Sequence, residues 1–164
     1  MKNKFVLIAL FICSGLHAQG KLAGSYGALI NKRFTDEKQL TSLYGFTYRG
    51  GSVIGDSADP RGLSVSWYMK GPIIVALFES KKVDASIIQI VDVLEIKNVQ
   101  KDQELSIGVC QDGENVMPGL VALVQPSEAK RYKALKAWNF NPDKLVIEPW
   151  PQNKVSCLGA VGED

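Results

Sequence analysis

The sequence predicts an α+β domain: a mainly antiparallel β-sheet with one helix, over about 127–139, packed on a face. Glycine and proline interrupt the chain at short intervals, as they do where strands are joined by turns. Leu105, Ile107 and Val109 alternate with polar or small residues and share one face, whereas Cys110 falls on the other. This period of two is typical of a sheet with one solvated side, and no alternating βα pattern is visible.

Apolar and alternating segments between the turns are predicted as strands. They cover residues 24–30, 46–54, 63–69, 73–79, 86–96, 104–111, 120–124, 145–148 and 154–158. The segments 73–78 and 87–94 are almost continuously apolar, which is typical of strands that are covered on both faces. We therefore expect these two strands to lie in the centre of the sheet.

Two helices are predicted from capping residues and apolar spacing. Ser127 follows a proline and suits the N-cap of the longer helix, 127–139. An apolar residue recurs every three positions within it, at Ala129, Tyr132, Leu135 and Trp138. The second is a short N-terminal helix over 36–44, with Thr35 as its cap and Gly45 at its end.

The N-terminal residues have the pattern of a signal peptide. Lys2 and Lys4 precede an apolar run over 5–13, which is too short to span a bilayer, and Ala18 is a small residue at the expected cleavage position. We therefore divide the chain into a signal peptide, 1–18, and a single globular domain, 19–164. The expected location is periplasmic or secreted, and the form of the signal is typical of a bacterium.

Lipid anchoring through Cys13 is a minor alternative to this assignment. A lipoprotein signal has a small residue immediately before its cysteine, and Ile12 occupies that position here. No later stretch has the roughly 20 apolar residues of a membrane-spanning helix.

The charge of the exported part argues against nucleic acid as a partner. The whole chain has 19 basic and 17 acidic residues, and Lys2 and Lys4 are the only ones of these within 1–18. Residues 19–164 are therefore formally neutral, so nothing attracts them over long range to nucleic acid or to an anionic membrane.

The absence of histidine after residue 18 argues against the commonest catalytic mechanisms. His17 is the only histidine of the chain and lies within the predicted signal peptide. Residues 19–164 therefore lack the commonest general base, the partner of most serine and cysteine nucleophiles, and the commonest metal ligand. We expect a non-catalytic protein that uses no metal and no cofactor.

Cys110 and Cys157 are the two cysteines of the exported part, 47 positions apart. An even number of cysteines in an oxidising compartment favours a disulfide. Two buried free thiols are the alternative. Neither cysteine has a histidine to activate it, so a catalytic thiol is not expected.

Gly55-Asp56-Ser57, after an apolar strand, resembles the first block of the GDSL esterase family, in which the serine is the nucleophile. That family also carries an Asp-x-x-His block, and residues 19–164 have no histidine to accept the serine proton. We interpret 55–62 as a turn. Its acidic residues could form a loose calcium site, but their spacing does not match an EF-hand loop.

Paired carboxylates are a catalytic route that needs no histidine. Asp92 and Glu95 are three positions apart in a predicted strand and so face opposite sides. Glu79 and Asp92 on neighbouring strands could pair. A histidine-free hydrolase is therefore retained as the third hypothesis.

Four side chains are candidates for a binding surface: Trp67, Tyr68, Trp150 and Lys133. Trp67 and Tyr68 are adjacent in a strand, so one of them should face outward. Trp150 lies between two prolines, which suits either a surface ring or a staple onto the core. Lys133 belongs to a basic face of the predicted helix, whereas Trp138 on the apolar stripe is assigned to the core.

These observations favour an exported domain that binds a partner without catalysis. The first hypothesis is a protein partner, as for an inhibitor, an immunity-type protein or an accessory factor. The alternative is a carbohydrate or small-ligand binding module, in which an aromatic side chain stacks on the ligand.

Overall fold

The structure, a computed structural model, describes residues 20–55, 58–81 and 86–159, apart from the side chains of 37, 42 and 43. It is nearly all-β, with two antiparallel sheets and one α-helix, α1 (Glu37–Tyr44). The strands are β1 (Arg33–Phe34), β2 (Thr47–Val53), β3 (Leu63–Lys70), β4 (Ile73–Lys81), β5 (Ile88–Ile96), β6 (Glu104–Ile107), β7 (Cys110–Asp112), β8 (Asn115–Val116), β9 (Leu120–Val124), β10 (Arg131–Asn141), β11 (Val146–Trp150) and β12 (Val155–Leu158). The predicted signal peptide and Cys13 lie outside the described residues.

The first sheet has the strand order β1-β5-β4-β3-β2. Its strands β4 and β5 are buried along almost their whole length. Their runs of β-branched and large apolar residues suit a strand that is packed on both faces. The prediction that these two segments are covered on both faces is thus confirmed.

The second sheet has the order β6-β9-β10-β12-β7-β8, and β11 also pairs with β10. Gly108 and Val109 are the only residues between β6 and β7, and Gly108 adopts a φ of +77°. This left-handed corner turns the chain so that β6 pairs with β9 while β7 pairs with β12. The sheet therefore curls, because one bent segment contributes to both of its ends.

Three apolar clusters hold these layers together. The first lies between the two sheets and includes Phe78, Phe140 and Trp138. The second lies between the first sheet and the N-terminal segment and includes Tyr68, Phe46 and Leu40. The third lines the inside of the curled sheet and includes Cys110, Cys157, Ala122 and Tyr132. The first sheet is thus the central layer.

The predicted helix over 127–139 is wrong, and with it the α+β class, because this segment forms β10. Ser127 Oγ does accept a hydrogen bond from the Ala129 N–H at 3.3 Å, but the turn leads into a strand. β10 pairs with β9 on one side and with β11 and β12 on the other. A bulge at Leu135 shifts its register, so apolar residues recur every three positions without a helix.

The N-terminal third also departs from the prediction. Residues 24–30, predicted as a strand, contain a 3₁₀ helix, Gly24–Leu29. Helix α1 occupies the segment predicted as a short helix, but Asp36 rather than Thr35 caps it, by accepting a hydrogen bond from the Lys38 N–H. Gly45 ends the helix in a left-handed conformation, with φ of 65°.

The predicted disulfide is confirmed. Cys110 and Cys157 are directly opposite each other in β7 and β12, with their Cα atoms 4.0 Å apart. Both residues are fully buried in the curled sheet. No helix among the described ranges is long and apolar enough to cross a membrane.

Gly62 lies immediately before β3 and Gly71 immediately after it, and substitutions at these two glycines form a matched pair. Gly62 and Gly71 have nearly equal φ values, +53° and +57°. A Cβ on Gly62 would collide with the carbonyl oxygen of Lys81, whereas one on Gly71 has no neighbour within 4 Å. We expect Gly71→Ala to lower the free energy of unfolding by about 1 kcal/mol, through the backbone conformation alone. Gly62→Ala should lower it by about 2–3 kcal/mol, and urea denaturation measures both values. Equal losses would show that the collision is relieved without cost.

Candidate functional site

Tyr68 is not part of a binding surface. Its exposed fraction is 0%, and its ring packs against Phe46 and Tyr48 with centroid distances of 6.0 and 5.5 Å. The face of β3 that carries Tyr68 is covered by the N-terminal segment. Of the two adjacent aromatic residues, Trp67 is therefore the only one that can contact a partner.

Trp150 serves as a staple. Its ring is partly buried against the cluster around the disulfide, and its Nε1–H donates to Asp112 Oδ2 at 3.2 Å. The indole thus joins β11 to β7, and its donor is already used within the protein.

Lys133 is exposed, but on strand β10 rather than on a helix. Its neighbour Arg131 donates to Ser156 Oγ and to the Ser156 carbonyl oxygen at 3.1 and 3.3 Å. Lys133 belongs to the second sheet and is not among the residues that line the groove containing Trp67. The four predicted binding residues thus do not form one surface.

Trp67 lies at the open end of the space between the sheets. It is half-buried and packs against the cluster between the sheets, as does Met69 two positions later. Strand β2, which is next to β3, is the edge of its sheet, and β6 is an edge of the other sheet. Both side chains are only partly buried, so each keeps surface that a partner can reach.

A groove of about 650 Å³ occupies this open end. Trp67, Met69 and the buried Val99 form its apolar part. The other lining residues are polar or belong to turns: Arg49, Gly71, Pro72, Gln100, Lys101, Gln103 and Glu104. An apolar floor with a polar rim is typical of a binding site.

The loop between β5 and β6 forms one wall and is held by its own hydrogen bonds. Gln103 Oε1 accepts from the Gln100 N–H at 3.1 Å, and Gln100 Nε2 donates to the Asn98 carbonyl oxygen at 3.2 Å. Both bonds are made within the loop and restrain it without a ligand.

Trp67 differs from Trp150 in the state of its indole N–H. A Cβ built on Gly50 would lie 3.4 Å from Trp67 Nε1, so Gly50 packs closely beside the indole. Trp67 Nε1 is not among the buried polar atoms that lack a partner, so it keeps some access to solvent. Within the described part of the chain, no residue accepts a hydrogen bond from Trp67 Nε1. This donor can therefore bond to a ligand.

The carboxylates proposed for hydrolysis do not face one another. Glu79 accepts a hydrogen bond from Ser66 Oγ at 2.6 Å, on the face of the first sheet that carries Tyr68. Asp92 accepts one from the Ile147 N–H of β11 at 2.8 Å, so it points toward the second sheet. Glu95 accepts from the Ser25 N–H at 3.0 Å, toward the N-terminal segment. Asp92 and Glu95 thus face opposite sides, as their spacing predicts.

The described part of the segment predicted as a turn, 58–62, does form a turn. Arg61 binds the Asp59 carboxylate through Nε and Nη2, at 3.0 and 2.7 Å. The hydrogen bonds from Arg61 hold the pKa of Asp59 below its ordinary value. Asp56 and Ser57 lie outside the described residues. Elsewhere in the described chain, no three His, Cys, Asp or Glu residues are placed to hold a metal ion.

Of the residues that line the groove, only Trp67 was predicted as a binding residue from the sequence. Met69 follows it at the same strand face, and a period of two from Trp67 could have indicated it. Arg49 and the loop 99–103 carry no local signal, because they reach the groove only through the packing of the two sheets.

Comparisons with protein-family models, with curated proteins and with solved structures gave no match to this chain.

Proposed function

We propose that the protein is a non-catalytic binding domain that holds an extended segment of a protein partner in the groove around Trp67. The half-buried Trp67, which lines the groove and whose indole N–H has no acceptor among the described residues, is the observation that carries this proposal. Tryptophan, methionine and arginine are the residue types enriched at protein interfaces, and all three line the groove. The groove is open at the surface, which suits a segment that passes through it.

An exported role is part of the same proposal. The buried disulfide supports an oxidising location, periplasmic or secreted, since disulfides are rare in reducing compartments. There the protein would act as an inhibitor, an immunity-type protein or an accessory factor, all of which work by holding a partner.

A glycan is the second candidate ligand. The aromatic ring of Trp67 beside the amides of Gln100 and Gln103 is a combination that can also bind a sugar by stacking and hydrogen bonding. The test must therefore offer both ligand classes to the same protein.

The test is selection from a displayed library of random linear peptides, with a glycan array in parallel, on protein expressed from the full coding sequence and purified in oxidised form. We expect peptides to be selected, and Trp67→Ala to weaken the tightest of them about 30-fold, which is about 2 kcal/mol. The dissociation constant by calorimetry measures the effect.

Trp150→Phe is the matched control, because it removes an indole N–H that is already bonded to Asp112. It should leave peptide affinity unchanged, while Trp67→Phe should weaken it several-fold. Peptides that bind Trp67→Ala as tightly as the unchanged protein would contradict the proposal. Selection of glycans alone would replace the protein partner with a sugar.

A further inference from the structure

We infer that the partner segment presents a carboxylate to the groove, next to an apolar side chain that packs on Trp67 and Met69. This inference rests on the proposed function and adds the chemistry of the partner. Three properties of the groove support it: unpaired basic side chains, an excess of hydrogen-bond donors, and an apolar floor beside them.

Arg49 is held at the groove without a partner in the sheet. The register of β2 against β3 shifts between Tyr48 and Gly50, so Arg49 is the extra residue of a bulge and has no residue opposite it. Bulges often redirect a side chain toward a functional surface. Arg49 is exposed and lines the groove.

Lys101 is the second basic residue that lines this groove. It is exposed, in the loop between β5 and β6. Neither Lys101 nor Arg49 forms an ion pair with any acidic group in the described part of the protein. Among the described residues, Glu104 is the only acidic one that lines the groove, so the described lining has a net charge of +1.

Neutral donors add to this preference for an anion. Trp67 Nε1–H has no acceptor among the described residues. The side-chain oxygen of Gln103, Oε1, already accepts a hydrogen bond from the Gln100 backbone N–H. The side-chain NH₂ group of Gln103 is therefore left for a ligand. A carboxylate can accept several hydrogen bonds and matches a guanidinium in a bidentate geometry. A carboxylate therefore accepts hydrogen bonds from donors of the groove that would have no acceptor with a neutral segment.

The apolar floor defines the second part of the recognised segment. Met69 and Val99 adjoin Trp67, and a thioether adapts to side chains of different shape. We therefore expect an acidic residue beside a large apolar one in the bound segment, since the basic rim and the apolar floor belong to one groove.

The experiment repeats the peptide selection on two charge-reversal variants. The first replaces both groove cations, Arg49→Glu with Lys101→Glu. The matched control replaces two exposed cations of the second sheet and its preceding turn, Lys130→Glu with Lys133→Glu. Both variants change the net charge by the same amount, and all four side chains are exposed, so folding should be retained. Circular dichroism verifies this.

We expect acidic and apolar residues to be enriched in the peptides selected by the unchanged protein and by the control. The groove variant should bind those peptides at least tenfold more weakly and should select basic peptides instead. Affinity for the acidic peptides should also fall as salt rises, because their charges pair with exposed cations. Arg49→Gln with Lys101→Gln should weaken them several-fold without reversing the selection.

The outcomes separate the two proposals. If Trp67→Ala abolishes binding while the groove variant selects the same peptides as the unchanged protein, the carboxylate is excluded and the protein partner stands. If no peptide is selected by the unchanged protein, the proposed function fails first, and this inference fails with it. Equal losses in the groove variant and the control would also overturn the inference, since only overall charge would then matter.

Discussion

Replacing Asp92 with alanine is expected to lower the free energy of unfolding by about 3–5 kcal/mol. Asp92 is 1% exposed, and its carboxylate accepts from the backbone N–H groups of Gly20, Val93 and Ile147, at distances of 2.8, 2.9 and 2.8 Å. One side chain thus joins the N-terminal segment and β11 to the central strand β5. Alanine leaves these donors without an acceptor, and a buried donor without a partner costs more than the bond itself contributes.

Asp102→Ala is the control, because Asp102 is exposed and accepts a single side-chain hydrogen bond, from Gln125 at 2.6 Å. Asp102→Ala should lower the free energy of unfolding by about 1 kcal/mol or less. Asp92→Asn should lose less stability than alanine, since its amide oxygen can keep the two bonds that Oδ1 accepts and only the Ile147 N–H would face an amide N–H. Urea denaturation compares the three variants. A loss for Asp92→Ala no larger than that for Asp102→Ala would show that Asp92 does not hold the layers together.

Removing the disulfide, as Cys110→Ala with Cys157→Ala, is expected to lower the free energy of unfolding by about 4 kcal/mol. The bond closes a segment with a sequence separation of 47, and its loss gives the unfolded chain more freedom. The bond also joins two strands at the interior of the curled sheet, so its loss removes packing there. The urea midpoint of the oxidised protein against that of the double variant measures the effect.

Reduction provides the internal control for this prediction. A reducing agent should lower the midpoint of the unchanged protein toward that of the double variant, and should leave the double variant itself unaffected. If the double variant is as stable as the oxidised protein, the bond contributes nothing, and the argument for an oxidising location loses its structural support.

Most strands could be predicted because their signal is local. The segments predicted at 46–54, 63–69, 73–79 and 120–124 correspond to β2, β3, β4 and β9 within two residues at each end. Each is bounded by glycine, proline or polar residues, and its apolar pattern fits a strand. The disulfide could be predicted from the number of cysteines, because only two of them follow residue 18.

The class of the fold was predicted wrongly because of one segment, 127–139. Its spacing of three matched a helix, and a bulge at Leu135 produced that spacing within a strand. Tyr132 and Trp138 therefore pack in different clusters, on opposite faces of β10. Pairing with β9, β11 and β12 stabilises the strand, and those partners are distant in sequence.

The candidate site could be predicted only in part, for a related reason. Side chains alternate between the two faces of a strand, which indicated that Trp67 and Tyr68 face opposite sides. The alternation did not indicate which of the two sides remains open. That depends on the N-terminal segment, which covers Tyr68, and on how far the second sheet extends over β3. Arg49 and Lys101 reach the groove from separate parts of the chain, so no local pattern could bring them together.

The most direct test of the binding groove is the indole N–H resonances of the three tryptophans, recorded while a selected peptide is added to ¹⁵N-labelled protein. The Trp67 resonance is predicted to shift strongly, since the ring lines the groove and its N–H has no acceptor among the described residues. The Trp150 resonance should stay in place, because its N–H is bonded to Asp112. A Trp67 resonance that does not move while the peptide binds would contradict the assignment of the groove as the binding site.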